Sequence, residues 1–126
     1  MTHFKINIMT IREIAKRYNE LAKENRYDLI QNELYSEDCE SIEPMHSTLL
    51  RSIKGKSAIK LKGLEFSKMI KEVHSSYSGS PSIAGQFFSL EMGMDITLID
   101  GTRLELDEIC VFQVRDEKII SEQFFY

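Results

Sequence analysis

Apolar residues recur at helical spacing through the first half of the chain and at every second position through the last third. Ile11, Ile14, Ala15, Tyr18, Leu21 and Ala22 share one face, while Arg12, Lys16, Arg17, Glu20 and Lys23 share the other. Thr10-Ile11-Arg12-Glu13 ahead of this stripe has the form of a capping box, which predicts that a helix starts there with Tyr18 pointing inward. A shorter helix is predicted from Tyr27 to Leu34, with Tyr27, Ile30 and Leu34 inward, until Ser36-Glu37-Asp38 breaks the pattern. Cys39 to Glu43 then reads as extended, and Pro44 keeps Glu43 out of the helical region. A third helix is predicted over about Ser57 to Val73, with Ile59, Phe66, Met69, Ile70 and Val73 along one side.

From about Ser82 the period changes to two. Phe88, Leu90, Met92, Met94, Ile96 and Leu98 alternate with Phe87, Ser89, Glu91, Gly93, Asp95 and Thr97, as in a long strand with one buried face. A second strand from about Arg103 to Val114 places Leu104, Leu106, Glu108, Cys110, Phe112 and Val114 on one side, and a last strand runs from Lys118 to Tyr126. A two-residue turn at Asp100-Gly101 would set apolar residues against charged ones. A loop Ile99-Asp100-Gly101 with Gly101 left-handed instead pairs Leu98 with Thr102, Phe88 with Phe112 and Met92 with Glu108. Helices followed by a meander predict an α+β fold, with three helices packed on one face of an antiparallel sheet. Phe4, Ile6 and Ile8 suggest a short additional strand.

A chain of 126 residues with 42% hydrophobic and 29% charged residues predicts one globular domain, 1–126, with a core of its own. No apolar run reaches the length of a membrane span and the first residues do not read as a signal peptide, so the expected address is cytoplasmic. Cys39 and Cys110 have no paired spacing and read as small buried hydrophobes. The net charge of −4 opposes nucleic-acid binding and leaves a small molecule as the expected partner. Gly55-Lys56-Ser57 matches the end of a phosphate-binding loop, but Leu50 stands where the earlier glycine belongs and no strand is predicted ahead of it. Arg51, Lys54, Lys56, Lys60 and Lys62 read as a solvated helix start.

Glu108 is the one carboxylate in an otherwise apolar alternating series, so the pleat carries it inward with Leu106, Cys110 and Phe112. Without a cation beside it, such a group should hold its proton toward neutral pH, as a general acid or base requires; a structural acid bonded to a backbone amide is the alternative. Glu43, oriented by Pro44 and followed by His46, is a second candidate, against an exposed acid at a strand end. Tyr18 offers a hydroxyl to a ligand or oxyanion, or else fills the core. The expected pocket is lined by Phe88, Met92, Met94, Cys110 and Phe112, with His46 near its polar handles Glu43 and Glu108. Three histidines without tight spacing to acids or cysteines give no metal site.

Leu34-Tyr35, Ser41-Ile42-Glu43-Pro44, Gly55-Lys56-Ser57-Ala58-Ile59 and the run from Leu106-Asp107-Glu108 to Phe124-Phe125-Tyr126 together resemble the SnoaL-like proteins of the nuclear transport factor 2-like superfamily. The resemblance implies a cone in which a bent sheet wraps helices around a pocket, and a homodimer formed through the outer sheet face. It also implies a comparison with ketosteroid isomerases, in which Arg17-Tyr18 and Glu43-Pro44 match a hydrogen-bonding Tyr and a proton-moving carboxylate. The third position of that set falls on Ile109 or Cys110, with Glu108 one pleat repeat from Cys110 on the same side. Three readings follow. The chain is a cofactor-free isomerase, cyclase or dehydratase with Glu43 or Glu108 as base and Tyr18 as donor, a non-catalytic binding module, or an interaction protein using the outer sheet face.

Overall fold

The computed structural model describes residues 8–126. Two residues of the N-terminal strand expected from Phe4, Ile6 and Ile8 therefore lie outside the described residues, and Ile8 is exposed and in no strand.

Helix α1 spans Ile11–Lys23 and begins with the expected capping box. The Glu13 amide donates to Thr10 Oγ1 at 3.2 Å, and the Thr10 amide donates to Glu13 Oε1 at 3.1 Å, so two of the amides that a helix start leaves unpaired are satisfied. Its apolar stripe buries Ile14, Ala15, Tyr18, Leu21 and Ala22. Helix α2 spans Tyr27–Leu34 and passes directly into strand β1, Tyr35–Ile42. Strand β2, Ile53–Lys54, precedes helix α3, Lys56–Met69, with Gly55 between them at φ 103°. A short strand therefore does lead into Gly55-Lys56-Ser57, although Leu50 still stands in place of the glycine that a phosphate loop needs.

The third helix ends four residues earlier than its apolar spacing predicts. Ile70 and Val73 belong to strand β3, Ile70–Ser78, which pairs antiparallel with β5. Residues three apart fall on opposite faces of a regular strand, and the β3–β5 register slips between Ile70 and Glu72 to accommodate them. β-Branched side chains and the hydrogen-bonding edge of β5 decide for the strand. Strand β4, Ser82–Ala84, pairs with the first residues of β5, Phe87–Leu98. Strands β6, Arg103–Arg115, and β7, Lys118–Phe125, complete the sheet. The β5–β6 register places Phe88 opposite Phe112 and Met92 opposite Glu108, as the alternation requires. The turn closes with the Leu98 amide on the Thr102 carbonyl at 2.8 Å and Gly101 at φ 90°.

The main strand order is β2-β1-β7-β6-β5-β3. The β1–β7 pairing is parallel, so the sheet is mixed where a fully antiparallel one was expected. The reason is the length of chain between β1 and β7, which lets β1 lie beside β7 in either direction. The result is an α+β cone, with three helices against a curled, unclosed sheet. Phe88 and Phe112 stack at 4.7 Å between ring centroids, and Tyr18 leans on Phe112 at 4.5 Å, closing the core beneath α1. Among the described residues, no helix is long and apolar enough to cross a membrane.

Candidate functional site

The curl of the sheet leaves a cavity of about 810 Å³ between its inner face and the helices. Apolar walls come from α3, β3, β5 and β6, among them Ile59, Phe66, Met92, Met94, Leu106 and Phe124 of β7. Polar groups converge at one end. Tyr18, Glu43 and Glu108 line this cavity, together with Met92 and Met94. Phe88, Phe112 and Cys110 do not line it; they are almost fully buried behind its wall, because the aromatic stack with Tyr18 fills the closed end of the cone. His46 lies outside the cavity lining and packs edge-on against Tyr126 at 5.9 Å.

Six further residues complete the polar end. Glu122 on β7 is buried, takes the Tyr35 hydroxyl on Oε1, and takes the Ser41 hydroxyl on Oε2 at 2.7 Å. Burial raises its pKa, and these two donors work against the rise. Strict alternation from the inward-facing Ile119 would aim Glu122 outward. The β6–β7 register slips between Gln113–Ser121 and Val114–Ile119, inserting Ile120 as an extra residue and reversing the parity of the rest of β7. Lys62 is not part of a solvated helix start: its ammonium enters the site from α3, with its side chain 13% exposed, and pairs with Glu43 Oε1 at 3.2 Å. It also donates to Ser41 Oγ at 2.7 Å and the Arg51 carbonyl at 3.1 Å.

Glu43 is 7% exposed and has both carboxylate oxygens occupied, since the Tyr126 hydroxyl donates to Oε2 at 2.8 Å. Burial and the charge of Glu43 move the Tyr126 hydroxyl up to about 12. Glu108 differs from both other acids. Its one hydrogen-bond partner among the described residues is the Cys110 thiol, at 3.5 Å from Oε1. Burial pushes the carboxyl up to about 7, the Cys110 contact opposes this, and the charges of Glu43 and Glu122 add to it. Tyr27, at the start of α2, also lines the cavity, and its hydroxyl has no hydrogen-bond partner among the described residues. Burial and the nearby Cys110 and Glu108 hold its proton firmly on. Tyr18 keeps its proton for the same reason, desolvation, with the Tyr35 hydroxyl beside it acting the other way.

The set can accept one proton at Glu108 and donate one hydrogen bond from Tyr27. Among the described residues no group of His, Cys, Asp and Glu has the arrangement of a metal site.

The SnoaL-like domain family matches residues 9–126. A crystal structure of a candidate SnoaL-like polyketide cyclase from Mesorhizobium loti superposes with a TM-score of 0.87 at 31% identity, covering 94% of this chain and all of that one. A protein of ketosteroid isomerase-like fold from Catenulispora acidiphila, in complex with trimethylamine, gives 0.70 at 18% identity, covering 93% and 87%. A cystatin-like fold from Xanthomonas campestris gives 0.71 at 16%, covering 93% and 90%. Among curated proteins none matches.

Proposed function

The chain belongs to the SnoaL-like domain family, and from that premise we propose that it binds a small, largely apolar ketone in the cavity and moves a proton on it with Glu108, without a cofactor. The observation that carries the reading is the contrast among three acids. Glu43 and Glu122 each have both oxygens occupied, whereas Glu108 faces the cavity with only a thiol as partner. In this reading Glu108, as the carboxylate, takes a proton from the carbon next to the ligand carbonyl. The C–H electron pair moves into an enolate, whose oxygen accepts a hydrogen bond from Tyr27, and the Glu108 proton then returns to a different carbon or the same one. A carboxyl that titrates near 7 suits both directions of transfer. This assigns the base to Glu108 over Glu43, and the donor to Tyr27 over Tyr18, whose hydroxyl sits beside Tyr35.

The test is exchange of the ring α-hydrogens of 2-tetralone in deuterium oxide, followed by NMR with the full chain. Wild type should accelerate exchange above buffer, with a rate rising through pH 7, and Glu108→Gln should lose about 10²–10⁴-fold of it. Equal exchange by wild type and Glu108→Gln would exclude Glu108 as the base. The engagement of Tyr18 with Tyr35 favours a second reading, a non-catalytic carrier. That reading predicts saturable 2-tetralone binding with no exchange above buffer.

A further inference from the structure

Helix α3 carries a glycine, Gly63, in its interior, where neither backbone nor packing asks for one. Its backbone is right-handed, so a side chain would meet no conformational strain. Beyond its own helix, a Cβ built there would have one neighbour within 4 Å, Gln31 Nε2 at 3.7 Å, an ordinary contact with the end of a flexible side chain. Glycine is also the least favourable residue after proline in a helix interior, so here it lowers stability without serving the fold.

Lys56, Lys60, Gly63 and Ser67 fall on one face of α3. The two lysines reach across to α2, Lys56 Nζ donating to the Asn32 carbonyl at 2.9 Å and Lys60 Nζ to Asn32 Oδ1, and Gln31 stands beside Gly63. This face therefore runs along α2, laced by lysines at one end. Beyond Lys60 the lacing stops. Ser67 Oγ turns back to the Leu64 carbonyl of its own helix at 2.7 Å, and among the described residues no hydrogen bond or ion pair joins α2 to α3 from Gly63 onward. Gly63 and Ser67 of α3 and Asp28 and Gln31 of α2 all line the cavity, and Gly63, Ser67 and Asp28 are exposed. Solvent and cavity thus meet along this half of the seam.

We infer that the ligand enters the cavity between α2 and α3, and that Gly63 sets the width of that entrance by carrying no side chain. The inference rests on the proposed role of the cavity as the binding site and names the residue that limits what reaches it. A side chain at position 63 would extend along the seam toward Gln31, and an obstacle at an entrance raises the barrier to entry and exit alike. Both rates then fall while the dissociation constant stays, which separates an entrance residue from one that grips the ligand.

The probe is 2-tetralone, with association and dissociation rates taken from NMR line shapes of the full chain. Gly63→Leu should slow both rates about tenfold, with the dissociation constant held within about threefold. Gly63→Ala should melt a few degrees above wild type, since the helix gains and no contact is lost. Gly63→Cys supplies graded bulk on one folded protein, because Cys39 and Cys110 are fully buried and leave the new thiol as the reactive one. A methyl disulfide on it should slow ligand entry less than a benzyl disulfide, and reduction should restore the unmodified rates. Rates unmoved by leucine and by the benzyl group overturn the inference and put the entrance elsewhere. A weaker dissociation constant at unchanged association rate also overturns it, since position 63 would then touch bound ligand. So does a Gly63→Ala variant that melts below wild type, because the fold itself would need the glycine. Failure of 2-tetralone to bind wild type overturns the cavity reading and this inference together. The measurement reads binding rates and not hydrogen exchange, so it stands apart from the fate of Glu108 as base.

Discussion

A carboxyl on a pleated strand has no freedom over which side of the sheet it takes, so once its neighbours are apolar it is buried with them. That is how Glu108 was legible from the alternation of β6 alone. Glu122 was not, because the extra residue Ile120 reverses which residues of β7 face inward, and a bulge of this kind leaves no mark in an alternation count. Lys62 was hidden for a different reason: a lysine among lysines reads as solvated, and only the approach of α3 to β1 brings its ammonium to Glu43.

The raised Glu108 pKa has a consequence for stability. Below the unfolded carboxyl range, near 4.5, both states bind the proton and Glu108 is neutral to folding. As pH rises toward about 7 the unfolded chain ionises first, so the folded state loses stability across that window, by roughly 1–3 kcal/mol after allowance for partial exposure. Glu108→Gln removes the penalty. Thermal melts should therefore show the variant matching wild type at pH 4 and exceeding it by several degrees at pH 8. A variant that melts lower at pH 8 would contradict the buried, proton-holding carboxyl.

At the scale of elements, the capping box and the glycine of β5 are separable tests of local structure. Thr10→Ala leaves the Glu13 amide without its cap and should cost about 1 kcal/mol, read as a lower midpoint in urea at unchanged slope. Gly93 sits between Tyr77 and Asp107 on neighbouring strands, and the Tyr77 ring lies across it to reach Asp107 Oδ1 at 2.8 Å. A Cβ there would stand 2.3 Å from Tyr77 Cε1 and 2.6 Å from the Leu106 carbonyl oxygen. The ring can swing away; the carbonyl belongs to the β6 ladder and cannot. Gly93→Ala should destabilise by about 1–3 kcal/mol even in a Tyr77→Ala background, and full rescue by Tyr77→Ala would show that the ring alone was the obstacle.

For the whole molecule, the outer sheet face divides in two. One end carries Asp95, Glu105 and Asp107; the other carries Phe87, Ile109 and Phe125, about half exposed, around Val111, with the exposed Glu91 paired opposite Ile109 between the two. An apolar patch of this kind on a sheet face is suited to a second copy of itself. We propose a homodimer centred on Ile109 and Val111. Light scattering should give twice the chain mass for wild type and the single mass for Ile109→Asp; a monomeric wild type would sink the proposal.

The chain's own pattern sufficed for the three helices, the long strands β5, β6 and β7, the β5–β6 register and the inward aim of Glu108, because periodicity and turn chemistry act between residues close in sequence. Where α3 yields to β3, which way β1 runs beside β7, and how Lys62, Ser41 and Tyr126 gather around Glu43 and Glu122 depended on contacts between distant segments. Those contacts are set by which edges and charges meet when the sheet curls, and periodicity along the chain carries no record of that meeting.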